Sequence, residues 1–441
     1  MKKYQIIIFL IFFLANAQLS AQKKWNLQQC VDTAITNNLN VRQSSNTVEI
    51  NQLNYRQSKN NLLPAASASA SESYNAYNSV NVNNSWNTNL SVSGNVNLFN
   101  GFQNVNAIKQ NQAVLNSSKF DLEDFKNSLT IDIVNAYLQI LYANEAIKVA
   151  ENTVSASNEQ VKITEVFVQT GKQAESNLLQ VKSQLATDKL TLVNAKNTLR
   201  TAKLNLQQLM EIPSSDNFDV EYYQDLKIPA MVNDNVSSIY QTSLNVMPIV
   251  QSYKQKVVAD QFYLNSLQNF WMPTLTLNGG ISTSNSSLAG LGAYTTNTSS
   301  QFSDQLKNNL TGQLSLNLSI PIFNRLQNAT NVKVQQIKLT NTVISQRSEN
   351  NTLRKQIEQA FTDLINSMAN YDALNEQFTS TTMSYNNSKD RYENGLMSAT
   401  DLLVEKNKLI KAESDLLQAK YNLIFKSKIL DYYKGNKITI Q

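Results

Sequence analysis

Side chains able to do covalent or acid–base chemistry are few in this 441-residue chain. Histidine is absent and Cys30 is the only cysteine, so a His-based triad, a His metal cluster or a thiolate site cannot be assembled. Carboxylates are present, but none pairs with a Gly-rich pocket or with a hydrolytic motif at recognisable spacing. Asp401, in Ser398-Ala399-Thr400-Asp401, reads as a helix start, where an acid in the first turn favours the dipole. No catalytic residue, cofactor or metal site is expected, and the chain is not expected to be an enzyme. Cys30 reads as a small buried thiol on an amphipathic helix. The formal charge of +5 is carried by Lys and Arg interleaved with Glu, Asp and Gln, the pattern of solvated helix faces rather than a nucleic-acid stripe. The scattered methionines form no soft-metal cluster.

What is chemically distinctive is uncharged polarity with a period of two. Leu310, Gly312, Leu314, Leu316, Leu318 and Ile320 alternate with Thr311, Gln313, Ser315, Asn317 and Ser319, as a strand with two unlike faces must. Leu90, Val92, Val96 and Leu98 alternate with Asn and Ser in the same way, and weaker alternation marks Ala66 to Ser71 and Thr274 to Ile281. One side is aliphatic, while the other holds Ser, Thr, Asn and Gln with almost no charge. With Phe99, Phe102, Trp271 and Phe323 near one end, this is the pattern of a membrane barrel around a wet lumen. Four strands of about ten residues cannot close a barrel, since about eight strands are needed. Several chains must therefore share one.

The elements that position these strands are helical and duplicated. Leu178, Leu185, Leu192, Leu199 and Leu206 make a heptad run, and Leu402, Leu409, Leu416, Leu423 and Leu430 make a second, each lying 402 − 178 = 224 positions later. Such a seam must pair with another helix. The same offset joins Leu129, Ile133, Ala136 and Ile140 to Leu353, Ile357, Ala360 and Leu364, and Gly171 to Gly395. Each repeat reads helix, two strands, long helix, turn, helix. The opening helices are expected over 26–63 and 236–272, ending at Pro64 and Pro273. A helix over 102–168 contains no proline or glycine and would be on the order of 100 Å long. It ends at Gly171, where glycine supplies the left-handed conformation of a tight reversal. The extra length of the second repeat is assigned to the Ser/Asn/Thr/Gly-rich stretch 282–303.

The start of the chain, Met1-Lys2-Lys3 followed by an apolar run from Ile6 to Ala15, has the form of a secretory signal with cleavage after Ala17 or Ala21. The organisation expected is a signal peptide over 1–21, a first repeat over 22–212, a linker over 213–235 with Pro213 and Pro229, a second repeat over 236–433 and a tail over 434–441. No later segment reaches membrane-helix length, so any bilayer crossing must be by strands. The localisation expected is the outer membrane, extending into the periplasm.

Several motifs act together. Trp25-Asn26-Leu27-Gln28 opens a helix, Pro64 and Pro273 precede strands, Leu98-Phe99-Asn100-Gly101 matches Ile322-Phe323-Asn324-Arg325 after Pro321, and Tyr392-Glu393-Asn394-Gly395 leads into Leu402-Leu403. In this order they resemble the TolC family of outer-membrane efflux and secretion channels, across essentially the whole mature chain. The resemblance implies an α+β fold of long coiled-coil hairpins plus four strands per chain that join a shared trimeric transmembrane barrel. It implies a homotrimer in outer membrane lipid, working as the passive exit duct of a tripartite efflux pump or type I secretion system, with a periplasmic adaptor and an inner-membrane pump as partners. Gly171, Lys172, Gly395 and Leu396 would then be the periplasmic tip turns and adaptor contacts, and Thr311, Gln313, Ser315, Asn317 and Ser319 the barrel lumen. Asp401 matches the first of two acidic positions that narrow the tunnel in that family; the second is Val404, with Glu405 beside it. Tyr392 of the family's tip lock is kept, but its basic and acidic partners are replaced by Met397 and Asn177. The rival reading, a surface or periplasmic structural or adhesive coiled-coil protein, accounts for the heptads but not for the duplication, the glycine reversals or the aliphatic strand faces.

Overall fold

The computed structural model describes residues 24–76, 78, 84–222, 228, 235–289, 302–436 and 438. The expected signal peptide lies outside them, as do parts of the linker, the tail and the stretch 282–303. In chain order the helices are α1 (Leu27–Asn37), α2 (Leu39–Asn60), α3 (Gln103–Gln169), α4 (Glu175–Leu209), α5 (Val236–Val246), α6 (Pro248–Gln268), α7 (Phe302–Asn308), α8 (Gln327–Glu393) and α9 (Ala399–Tyr433). The strands are β1 (Ala65–Asn75), β2 (Asn84–Asn100), β3 (Thr274–Ala289) and β4 (Thr311–Ser319). Among the described residues no helix is long and apolar enough to cross a membrane. The chain divides into two compact units. One gathers the described residues up to Ser45 with Asp121–Val250 and those from Glu349 onward; the other is Asn46–Phe120 with Gln251–Ser348.

The sequence repeat is a structural repeat. Helices α3 and α8 are each 67 residues long, and α4 and α9 are each 35. Each opening helix, expected to be continuous, is instead broken in two. Asn26 begins α1 with a capping box, its Oδ1 accepting from Gln29 N at 2.9 Å while Gln29 Oε1 accepts from Asn26 N at 3.3 Å. At Asn38 the chain turns extended (φ −59°, ψ 121°), and the Asn38 side chain caps α2 by accepting from Asn40 N and Val41 N. Glu211 Oε1 takes the Leu39 N–H at 3.0 Å. In the second repeat the break falls at Met247 (ψ 124°), because Pro248 pushes its predecessor out of the helical region and itself fits the first position of α6.

The first unit has a core built on the two repeats alike. Ile133, Tyr137 and Ile140 of α3 meet Leu206 and Met210 near the end of α4, with Leu27, Cys30, Val31 and Ala34 of α1 and the linker residues Phe218 and Val220. The corresponding cluster joins Leu353, Ile357 and Leu364 of α8 to Leu423 and Leu430 of α9 and to Ile239 of α5. Cys30 is fully buried, and burial pushes its thiol up to about 12, which leaves it protonated and inert. Tyr137 spans the core and donates its hydroxyl to Glu221 O at 2.7 Å.

Linker residues clasp the start of the described chain. Trp25 N donates to Asp219 O at 3.0 Å and Glu221 N to Trp25 O at 2.9 Å. Burial alone would raise the Asp219 carboxyl, but hydrogen bonds from Lys203 at 2.9 Å and Tyr222 at 2.7 Å, the Lys203 charge and the Val220 N–H hold it below the ordinary carboxylate value. A carboxyl depressed on folding contributes stability above its unfolded pKa and loses it as pH falls through the folded value. Asp219→Asn should therefore lower the thermal midpoint near neutral pH, with the gap from wild type closing as the pH drops below about 4. A gap that stays constant on acidification would contradict this reading of the clasp.

In the second unit the strands form one antiparallel sheet in the order β1-β2-β3-β4. The two central strands run to 17 and 16 residues, beyond the ten expected, because Asn, Ser and Thr continue the ladder where no aliphatic alternation announces it. The register gathers the faces. Ala68, Val92 and Ile281 align across three strands, as do Leu277 with Leu316 and Leu275 with Leu318. A bulge between Asn97 and Phe99 sets Phe99, rather than Leu98, opposite Leu275. Ser69 and Ser91 bond across the polar face at 2.7 Å, and Thr276 donates to Asn97 there at 3.1 Å. Helix α7 folds back on β3 through Asn309 Nδ2 to Ser284 O and Gln305 Oε1 from Ser286 N. Leu314, Leu316 and Leu318 are exposed, and β1 and β4 each keep an unpaired edge among the described residues. An open sheet with an uncovered aliphatic face is not stable alone in water.

Candidate functional site

The two reversals that end the long helices have one geometry. Gly171 and Gly395 sit at φ 71° and 73°. Lys172 N donates to Phe167 O and Gly171 N to Val168 O, while Leu396 N donates to Arg391 O and Gly395 N to Tyr392 O. This paired closure satisfies the last carbonyls of α3 and α8. A Cβ on either glycine would meet nothing within 4 Å, so glycine is needed for its backbone conformation alone. Lys172 is exposed with its Nζ 5.7 Å from the Phe167 ring, and Leu396 is 71% exposed.

Behind the turns lies a buried cluster of Val161, Val181, Tyr392, Ala399, Leu402 and Leu403. Tyr392 is fully buried, with its hydroxyl 2.8 Å from Thr164 Oγ1 and donating at 3.4 Å to Gln173 Oε1. Phe167 packs against its ring at 5.8 Å. Met397, in the place of the family's basic residue, packs on this cluster, and Asn177 donates weakly to Gln173. Thr400 Oγ1 donates to Gln180 Oε1 at 3.0 Å, a second tie between the two hairpins.

Asp401 is exposed in the first turn of α9, which Ser398 caps: the Asp401 N–H donates to Ser398 Oγ at 3.2 Å and its Oδ2 accepts from that hydroxyl at 2.7 Å. Val404 is exposed. Glu405 accepts from Lys408 at 2.7 Å and Ser384 at 2.9 Å, and these bonds hold its carboxyl below the ordinary value.

Three residues that sequence reasoning passed over form a buried ionic group here. Lys406 Nζ lies 3.1 Å from Asp188 Oδ2, and the Ser157 hydroxyl bonds both. The side chains of Lys406 and Asp188 are 7% and 5% exposed. The trio ties α3, α4 and α9 together. A signal existed, because Asp188 sits three residues after Leu185 on the apolar seam, where the second repeat has Ala412.

On the sheet, Thr311, Gln313, Ser315, Asn317 and Ser319 align with Ser282, Gly280, Asn278, Thr276 and Thr274. The register thus puts all five on one uncharged polar face, opposite the leucines.

The chain thus combines a sheet split into aliphatic and polar faces, with open edges, and a 67-residue helix after each pair of strands. The family model for outer membrane efflux proteins matches residues 30–210 and 239–431. Toxin and drug export protein A of Aggregatibacter actinomycetemcomitans is 22% identical over 69% of this chain and 63% of its own length. The cation efflux system protein CusC of Escherichia coli K12 is 20% identical over 66% of this chain and 61% of its own. The chain thus spans less than two thirds of these curated relatives' length. The solved structure of the outer membrane protein VceC from Vibrio cholerae superposes with a TM-score of 0.76 at 15% identity, covering 94% of this chain and 97% of that one. The chain belongs to the outer membrane efflux protein family. The α+β fold with a two-fold internal repeat is the one its sequence implied.

Proposed function

We propose that three copies of this chain form the passive exit duct of a tripartite efflux pump or type I secretion system. The observation that carries the reading is the sheet: one aliphatic face, one uncharged polar face and two open edges, each repeat passing from it into a long helix. Pairing β4 of one copy with β1 of the next gives twelve strands, enough to close a barrel with the leucines in lipid and Ser315 and its neighbours around water. The Gly171 and Gly395 reversals then form the periplasmic tips, where Lys172 and Leu396 contact an adaptor that connects the duct to an inner-membrane pump. Three copies of Asp401 ring the entrance and favour cations.

Purified trimers in planar bilayers test this duct. They should give discrete currents, and Asp401→Ala should raise the conductance or remove block by divalent cations. No channel activity from inserted trimers would overturn the duct, whereas unchanged current and unchanged cation sensitivity in the variant would reject the ring alone.

A further inference from the structure

Charge in the second unit is distributed in a way the duct does not require. The unit's four acids are Glu49, Glu72, Asp260 and Asp304. Glu49 and Asp260 lie more than ten residues before β1 and β3, with Asp260 held by Gln335 and Thr342, while Glu72 pairs with Thr88 high on the β1–β2 hairpin and Asp304 belongs to α7. Six of the unit's eleven bases flank the strands on the helix side: Arg56 and Lys59 in the last turns of α2 before β1, Lys109 in the second turn of α3 after β2, and Arg325, Lys333 and Lys338 after β4. All six are exposed, and none is in an ion pair among the described residues.

Apolar side chains lie at the same strand ends. Ile322 is 87% exposed and Phe323 71%, with Leu63 and Phe102 exposed nearby in sequence. They lie next to the strands in sequence, just where the strands stop, the position at which aromatic and aliphatic residues of barrels meet the headgroups.

Backbone geometry singles out one of the bases. The turn after β2 uses two consecutive left-handed residues, Gly101 (φ 63°) and Phe102 (φ 60°), and the turn after β4 repeats it with Arg325 (φ 57°) and Leu326 (φ 60°). Glycine fits the first position in the first repeat, where a Cβ would approach Asn269 O and Met272 Cβ to 2.9 Å. In the second repeat the chain instead holds arginine in a conformation that residues with a Cβ rarely adopt. Strain kept at a place where glycine would relieve it points to a use for the side chain.

We infer that these residues form a cationic collar that binds anionic phospholipid headgroups of the leaflet bordering the strand ends. The collar combines positive charge that makes no ion pair with exposed apolar side chains flanking the strands, and a phosphodiester headgroup with its acyl chains complements both. The inference rests on the barrel reading above.

Full-length trimers in detergent can be titrated with phosphatidylglycerol and, separately, with zwitterionic phosphatidylethanolamine, and the retained lipid counted by native mass spectrometry. Wild type should retain phosphatidylglycerol at about tenfold lower concentration. The triple variant Arg56→Gln, Lys59→Gln, Arg325→Gly should lose that preference, with a thermal midpoint equal to wild type or higher because glycine relaxes the turn. Arg325→Lys should keep the preference. Equal retention of the two lipids by wild type overturns the collar, and this comparison needs no variant to fold. An undiminished preference in the triple variant overturns it too, as would a change in ion selectivity with lipid retention unaltered, which would place the charges on the lumen. Failure to form trimers would instead count against the duct itself.

Discussion

Lys406→Met should destabilise the helical unit by about 3–5 kcal/mol, the cost of leaving a buried charge without its partner. Asp188 accepts from Lys406 at 3.1 Å and from Ser157, with almost no access to water. The methionine covers similar volume, so the loss measures the stranded carboxylate rather than a cavity. Adding Asp188→Leu together with Ser157→Ala should recover most of it, since removing every polar member of a buried ionic group is often neutral or stabilising. Denaturant unfolding followed by helical circular dichroism reads both effects. A single variant within error of wild type, or a triple variant as unstable as the single, would contradict the buried ion pair.

Leu316→Lys should all but abolish assembly into membranes, while Ser315→Lys one residue away should insert. Leu316 lies opposite Leu277 on the aliphatic face, and Ser315 opposite Asn278 on the polar one. A lysine on the lipid face near the bilayer midplane costs about 2–4 kcal/mol per copy, so three copies in one barrel lose on the order of 6–12 kcal/mol. The polar face meets water and carries no such penalty. The test is the fraction of heat-labile trimer recovered after folding into lipid vesicles. Equal tolerance at the two positions would mean that the sheet has no lipid-facing side.

Much of the fold was legible because its signals are periodic. Leucines at seven-residue spacing, serines alternating with aliphatics and glycines at matching offsets each impose one conformation, and the second repeat checks the first residue by residue. The Gly171 and Gly395 turns were readable for the same reason. The helix break at Asn38 was not, because asparagine occurs within helices and acts as a cap here only through contacts with Asn40 and Val41, while the distant Glu211 takes the Leu39 N–H. Its counterpart at Met247 carried a readable cue in Pro248. The bulge beside Leu98 was invisible to alternation, which assumes an unbroken register. At the turns, the resemblance left Tyr392 without the basic and acidic partners it implied. That the Tyr392 hydroxyl meets Thr164 and Gln173 depends on chain segments more than 200 positions apart coming together. Asp188 and Lys406 were likewise passed over, since burial is a property of packing and not of spacing.

The most direct test of the account is electron microscopy of the purified full-length protein. Particles with three-fold symmetry around a continuous central bore, a barrel at one end and a helical stalk below it, are the predicted result. Solitary monomers, or fibres without a bore, would contradict it.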